Sequence, residues 1–246
     1  MPDRFLNLLS TLNTRDIGGY PTRDGHSTRW RRFLRSDSLH RLSEVDVELL
    51  QAAGLDAIID LRRSDEAAAE PDRTAGFPAV HYYNLPVLPS AVSSAAPGNP
   101  LAGVRSLSDV YIAMFDHFQA NLRVIFETIT AHANAPMIIH CTAGKDRTGV
   151  VFVLLLDLAG VDDETIIADY ALTKGRIEPM LTRLRANALT AGLDLARHET
   201  MLLCEPELMQ VALAHLRDKY GDAANYLRTI GLSDAQIETI REATRE

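Results

Sequence analysis

The sequence predicts an α/β protein: a mostly parallel central sheet flanked by helices, with a helical C-terminal region. Three observations carry this expectation. Short apolar runs bounded by turn residues alternate with helical patterns over the first two-thirds of the chain. One such run, residues 137–141, leads through a glycine-containing loop straight into an apolar helix. Beyond Gly160 strand patterns cease and helix-start signals recur.

In chain order, Asp24-Gly25 marks a hairpin between Tyr20 and Phe33. Ser43-Glu44-Val45-Asp46 starts a helix that Gly54 ends, and Ala57-Ile58-Ile59 follows as an apolar strand. Residues 80–85 read as another strand and residues 108–133 as one long or broken helix. Met137 to Cys141 is the strand that feeds the glycine loop, which therefore sits at the carboxyl end of the sheet, where open α/β sheets place their ligands. Asp162-Asp163-Glu164 opens a helix, residues 179–196 suggest a second and residues 206–220 a third. Ser233 and Gln236 form a capping box for the last. Residues 86–108 have loop composition, and read either as a flexible insertion or as a substrate-facing loop.

A chain of 246 residues, 46% hydrophobic and 24% charged, buries a substantial core and is expected to form a single domain, 1–246. The net charge of -8 argues against a nucleic-acid partner, so anionic substrates must be drawn by local fields. Two cysteines, Cys141 and Cys204, make no disulfide framework, and Cys204 reads as a packed helix-edge residue. Met1-Pro2-Asp3-Arg4-Phe5 lacks the pattern of a signal peptide, and the apolar stretch 150–156 is too short to span a bilayer, so a cytoplasmic protein is expected. No His and carboxylate run has metal-ligand spacing, so neither metal nor cofactor is expected.

The chemistry concentrates in Ile138-Ile139-His140-Cys141-Thr142-Ala143-Gly144-Lys145-Asp146-Arg147-Thr148-Gly149. Five residues separate Cys141 from Arg147, enough for the loop to curl with its N–H groups inward, while the following helix adds the positive end of its dipole. Thr142, Ala143, Gly144, Lys145, Asp146 and Arg147 would then cradle a phosphate dianion. The same field favours thiolate at Cys141, the candidate nucleophile. Arg147 offers two parallel N–H bonds to the equatorial oxygens, where charge builds during phosphoryl transfer. Thr148 either hydrogen-bonds the sulfur or serves as an ordinary helix-terminus threonine. His140 reads as a packed strand-end residue that positions the loop.

This run resembles the Cys-x5-Arg signature of the cysteine-dependent protein tyrosine phosphatases, and more narrowly a bacterial group that includes mycobacterial dual- and triple-specificity enzymes. Asn13-Thr14-Arg15-Asp16-Ile17-Gly18-Gly19-Tyr20, Arg35-Ser36-Asp37-Ser38-Leu39, Ile58-Ile59-Asp60-Leu61-Arg62 and Ile167-Ala168-Asp169-Tyr170 are similar to further blocks of that group. The resemblance implies a tyrosine-phosphatase-like fold and hydrolysis of protein phosphotyrosine through a phosphocysteine. It extends to phosphoserine, phosphothreonine and phosphoinositide substrates, and to export without a recognisable signal. It also implies that residues 175–200 serve as a helical lid, although their amphipathic pattern equally fits a helix packed on the core.

Wider relatives protonate the leaving oxygen with an aspartate on a Trp-Pro-Asp loop, but the single tryptophan, Trp30, precedes Arg31 and Arg32. Asp146 is the first candidate for the acid and Asp60 the second, with Asp109 a distant third; the alternative for each is a structural charge. Lys145 is one of three lysines in the chain, and either holds a second phosphate, as in loops that accept phosphoinositides, or supports the single phosphate and the thiolate. Arg29-Trp30-Arg31-Arg32 reads as the polar face of a hairpin strand with Trp30 inward, or as a transient membrane-surface contact. The oligomeric state is not legible in the sequence.

Overall fold

The computed structural model describes residues 4–74, 77–89, 99–101, 104–190, 192 and 195–246. Five strands, β1 (Arg15–Asp16), β2 (Phe33–Ser36), β3 (Ala57–Asp60), β4 (His81–Asn84) and β5 (Met137–His140), form one sheet in the order β1-β2-β5-β3-β4. Only the β1–β2 pairing is antiparallel; the other three are parallel. The sheet is therefore mostly parallel, as the alternating pattern predicts.

Strand side chains divide between two cores by simple alternation. Phe33, Ile59 and Ile139 belong to the larger core, whereas Leu34, Ile58 and Ile138 belong to the smaller one with Leu50 of α1 (Glu44–Ala52). The larger core holds α3 (Leu107–His117), α4 (Gln119–Ala131) and α5 (Asp146–Leu158), the last buried from Thr148 to Leu158. Register aligns Ser36, His140 and Asp60 across β2, β5 and β3, so the loop after His140 leaves the middle of the carboxyl edge.

Ser43 and Asp46 close the capping box of α1, and Gly54 follows at φ +75°. The long helical pattern before β5 breaks at Phe118, which caps both α3 and α4. A short helix α2 (Ser64–Ala69) follows β3. After α5 the chain runs through α6 (Asp163–Thr190), α7 (Leu195–Leu202), α8 (Pro206–Tyr220), α9 (Ala223–Thr229) and α10 (Asp234–Thr244).

The expected start of a separate helix at Pro179 is corrected: Pro179 lies inside the 28-residue α6. A proline removes one donor and crowds the carbonyl four residues earlier. Here that residue is Gly175, around which a Cβ would meet nothing within 4 Å, so there is space for the helix to adjust. The loop expected over 86–108 falls partly on 90–98, 102 and 103, outside the described residues; on its flanks Val87, Leu88 and Leu101 are buried in the larger core. No helix among the described residues is long and apolar enough to cross a membrane.

Trp30 lies against the Gly18-Gly19 pair. A Cβ on Gly18 would stand 2.5 Å from the Trp30 Cα, and one on Gly19 would stand 2.5 Å from the indole ring. Arg29 is turned to the C-terminus, where its Nε donates to the Arg245 carbonyl at 2.9 Å. Trp30 is half-buried, and residues 30–32 form a turn in place of the expected hairpin strand. Gly18→Ala is expected to destabilise the protein by about 1–3 kcal/mol, because the obstacle is backbone and cannot swing aside. Thermal denaturation should show Tm falling by roughly 2–12 °C for that loss. In the same assay Gly175→Ala should stabilise by about 0.5–1 kcal/mol, since it adds helix propensity where space is open.

Candidate active site

The loop from Cys141 to Lys145 is shaped by donors that seize its carbonyl groups. Asn13 Nδ2 donates to the Ala143 and Gly144 carbonyls at 3.0 and 3.2 Å, and Arg35 Nη2 donates to the Gly144 carbonyl at 2.8 Å. The Ser38 N–H takes the Thr142 carbonyl at 3.2 Å. With carbonyls drawn outward, the N–H groups are left to the concave side, the arrangement that binds anions. Gly144 stands at φ +64°, and a Cβ there would meet the Ser36 carbonyl oxygen at 2.4 Å. Glycine is required twice over, for conformation and for space.

Arg35 directly, and Asn13 through Arg15, are held by one carboxylate. Asp169 of α6 accepts from Arg15 Nε at 3.0 Å, Arg35 Nη1 at 2.5 Å and the Tyr20 hydroxyl at 2.8 Å. Arg15 also binds Asn13 Oδ1 and, at 3.1 Å, Thr173 Oγ1. All three ionic side chains are essentially inaccessible to solvent. Burial, the largest influence, raises the Asp169 pKa, but the opposing charges of Arg15 and Arg35 hold its carboxyl well below the ordinary range.

Across β5 from this cluster, Arg62 clasps Asp60 through Nε and Nη2 at 2.9 and 2.7 Å, and its Nη2 reaches Asp72 at 2.9 Å. His140 Nε2 lies 2.8 Å from Asp72. Burial disfavours the charged imidazole, yet Asp72 and then Asp60 outweigh it and push the His140 pKa up. Tyr82 donates its hydroxyl to Asp60 at 2.9 Å. Asp60 is fully buried; burial raises its pKa, but its hydrogen bonds to Arg62 outweigh this and lower it, which disfavours the proton-donor role expected second for it. Asp109, the third candidate, accepts from Ser106 N–H at 2.9 Å and caps α3.

Cys141 is buried at the base of the loop. Burial alone would push its thiol up, but the Arg147 charge and then the Thr148 hydroxyl and N–H bring it below the usual range. Arg147 is held by Glu66 of α2, Nη1 to Oε2 at 2.7 Å and Nη2 to Oε1 at 3.2 Å, and Nη2 also reaches Thr142 Oγ1 at 3.0 Å. Asp146 opens α5 with its side chain 28% exposed, and accepts from the Tyr111 hydroxyl at 2.5 Å. Tyr111 in turn meets the Tyr170 hydroxyl at 2.8 Å. The Lys145 side chain is 3% exposed, and its Nζ donates to the Met201 and Leu203 carbonyls at 3.0 and 2.7 Å and lies 3.5 Å from Asp146 Oδ1. Cys204 lies close by, with Sγ 3.9 Å from the Tyr170 carbonyl.

Cys141, Asp146, Arg147 and Thr148 therefore meet at one loop, whereas Asp60 braces its flank. Glu66 and Tyr111 escaped the sequence reading because their partners lie 81 and 35 residues away and no local pattern marks them.

Removing the buried carboxylate should unfasten the loop. Asp169→Asn leaves Arg15 and Arg35 buried without their counter-charge and is expected to cost about 3–5 kcal/mol at pH 7 by urea denaturation. A carboxyl whose pKa is lowered by folding contributes stability above its unfolded value and loses it as the pH falls toward its folded value. The difference between wild type and variant should therefore narrow below about pH 4.

Comparison with known proteins agrees with this geometry. The chain is 30% identical over 220 residues to a tyrosine-protein phosphatase of Nostoc commune, covering 85% of this chain and 72% of that one. It is 28% identical over 268 residues to the triple specificity protein phosphatase PtpB of Mycobacterium tuberculosis, covering 93% and 95%. A family model described as "Tyrosine phosphatase family" matches residues 6–246, and the chain belongs to that family.

Proposed function

We propose that this phosphatase hydrolyses protein phosphotyrosine through a phosphocysteine on Cys141. The observation that carries this reading is the burial of Cys141 at the base of a loop whose carbonyls are turned away by Asn13, Arg35 and Ser38. In the first step the thiolate attacks phosphorus, the S–P bond forms and the P–O bond to tyrosine breaks. Arg147 spans two equatorial oxygens as charge builds on them, and the loop N–H groups of residues 142–147 complete the cradle.

Asp146 is the proposed general acid. It lies at the mouth of the loop, is partly exposed, and is oriented by Tyr111. Its proton passes to the tyrosine oxygen as that group leaves. In the second step the same carboxylate takes a proton from water, whose oxygen attacks phosphorus; the S–P bond breaks and inorganic phosphate departs. Thr148, whose hydroxyl lowers the Cys141 pKa, stabilises the returning thiolate.

Residues 175–200 are proposed as a lid. Residues 191, 193 and 194 lie outside the described residues, but the remainder includes Ile177 and Leu181, which pack with Leu202 and Ala143 of the phosphate loop. Lys145 fastens the end of α7 from beneath. While so engaged, its ammonium binds two carbonyls and lies 3.5 Å from the Asp146 carboxylate. A second phosphate, as on a phosphoinositide, would require its release, which supports phosphotyrosine as the principal substrate.

Phosphate release from matched phosphotyrosine, phosphothreonine and phosphoinositide substrates, with chelator and reductant present, tests the reading. Turnover should be greatest on phosphotyrosine and absent in Cys141→Ser; turnover that survives that substitution would reject the nucleophile. Asp146→Asn should lower kcat by about 100-fold or more on a phosphotyrosine peptide and much less on an aryl phosphate with an activated leaving group. Equal losses on both would remove Asp146 as the acid.

A further inference from the structure

Far from the phosphate loop, one cluster brings together side chains from three elements. Asp56 precedes β3, His81 opens β4 and His132 caps the end of α4. One ligand-capable atom of each lies within 4.8 Å of the others. His132 Nδ1 is 2.6 Å from Asp56 Oδ2, and its Nε2 is 2.9 Å from the Tyr83 hydroxyl. The His81 ring stands 5.0 Å from that of His132, centre to centre.

An imidazole nitrogen and a carboxylate oxygen this close require a positive centre between them, a proton or a metal ion. When the Tyr83 oxygen accepts the Nε2 proton, Nδ1 presents its lone pair toward Asp56, the tautomer that a metal ligand needs. The backbone holds the two strand starts level, since the His81 N–H donates to the Asp56 carbonyl and the Asp56 N–H to the Pro136 carbonyl, each at 2.8 Å. His81 is exposed and the Asp56 side chain is 33% accessible, so an ion can enter. The other His and carboxylate cluster, Asp60, Asp72 and His140, is sealed and already neutralised by Arg62.

We propose that Asp56, His81 and His132 form a binding site for a divalent transition metal of the zinc class, with water completing the coordination. On binding, His132 shifts its ring proton from Nδ1 to Nε2, where the Tyr83 oxygen accepts it, and Nδ1 and Asp56 Oδ2 part from their 2.6 Å contact to admit the ion. The site lies at the starts of parallel strands, whereas Cys141 follows the end of one. It would therefore staple β3, β4 and α4 together without entering the phosphatase chemistry.

Calorimetric titration of Zn2+ into the Cys141→Ser protein tests this, because the reactive thiol is then absent. One equivalent should bind, with affinity falling at least about tenfold in His81→Ala and in His132→Ala. Co2+ should give visible bands without a thiolate charge-transfer band, which separates this site from Cys204. Saturating Zn2+ should raise Tm by about 5–10 °C at 100-fold excess over Kd, and not in His81→Ala. His81→Ala should also leave phosphotyrosine turnover unchanged. Absence of saturable binding, binding indifferent to His81→Ala, or a thiolate band with Co2+ would overturn the proposal.

Discussion

The structure depends on a single buried carboxylate facing two buried guanidinium groups. Asp169 lies on α6, Arg15 on β1 and Arg35 on β2, so one ionic cluster joins the sheet edge to the helix that lies beyond the phosphate loop. Burial of charge is costly, and two cations against one anion would be more so. The surplus is absorbed by oxygen dipoles: Arg15 binds the Asp169 carbonyl and Asn13 Oδ1, and Arg35 binds the Gly144 carbonyl. That last bond converts a stability problem into function. The surplus positive charge is satisfied by pulling a phosphate-loop carbonyl away from the place where an anion would sit.

A second ionic cluster braces β5 from the other side. Asp60 and Asp72 face Arg62 and the His140 imidazole, enclosed beside the strand that delivers Cys141. Ser38 joins the two halves, since its N–H takes the Thr142 carbonyl while its hydroxyl accepts from Arg62. The loop that carries Cys141 is thus fixed from β2 and β3 alike. Preorganisation of this kind leaves little to rearrange when phosphate arrives. Glu66 does the same for Arg147, keeping its guanidinium in the loop before substrate is present.

Much of this was legible in the sequence, and the exceptions have physical causes. The parallel sheet followed from apolar runs such as 137–141, and the phosphate loop from residues contiguous in the chain. The blocks containing Asn13, Arg35, Asp60 and Asp169 were visible as a resemblance, but their convergence on one loop is a product of strand order and register. Lys145 illustrates the limit: besides the neighbouring Asp146, its ammonium binds backbone carbonyls more than fifty residues away. Backbone carbonyls carry no sequence signature. Pro179 misled for a related reason, because a proline ends a helix only where the preceding turn cannot yield. The Asp56, His81 and His132 set has no motif spacing at all, since sheet pairing alone assembles it.

Burial raises the Cys141 thiol pKa, but the Arg147 charge and then Thr148 bring it below its usual range. The most direct measurement is the pH dependence of its alkylation by iodoacetamide, read by mass spectrometry on the Cys141 peptide so that Cys204 is scored separately. The midpoint should fall clearly below the ordinary thiol value of about 8.5. A midpoint at or above that value in the folded, reduced protein would contradict that lowering.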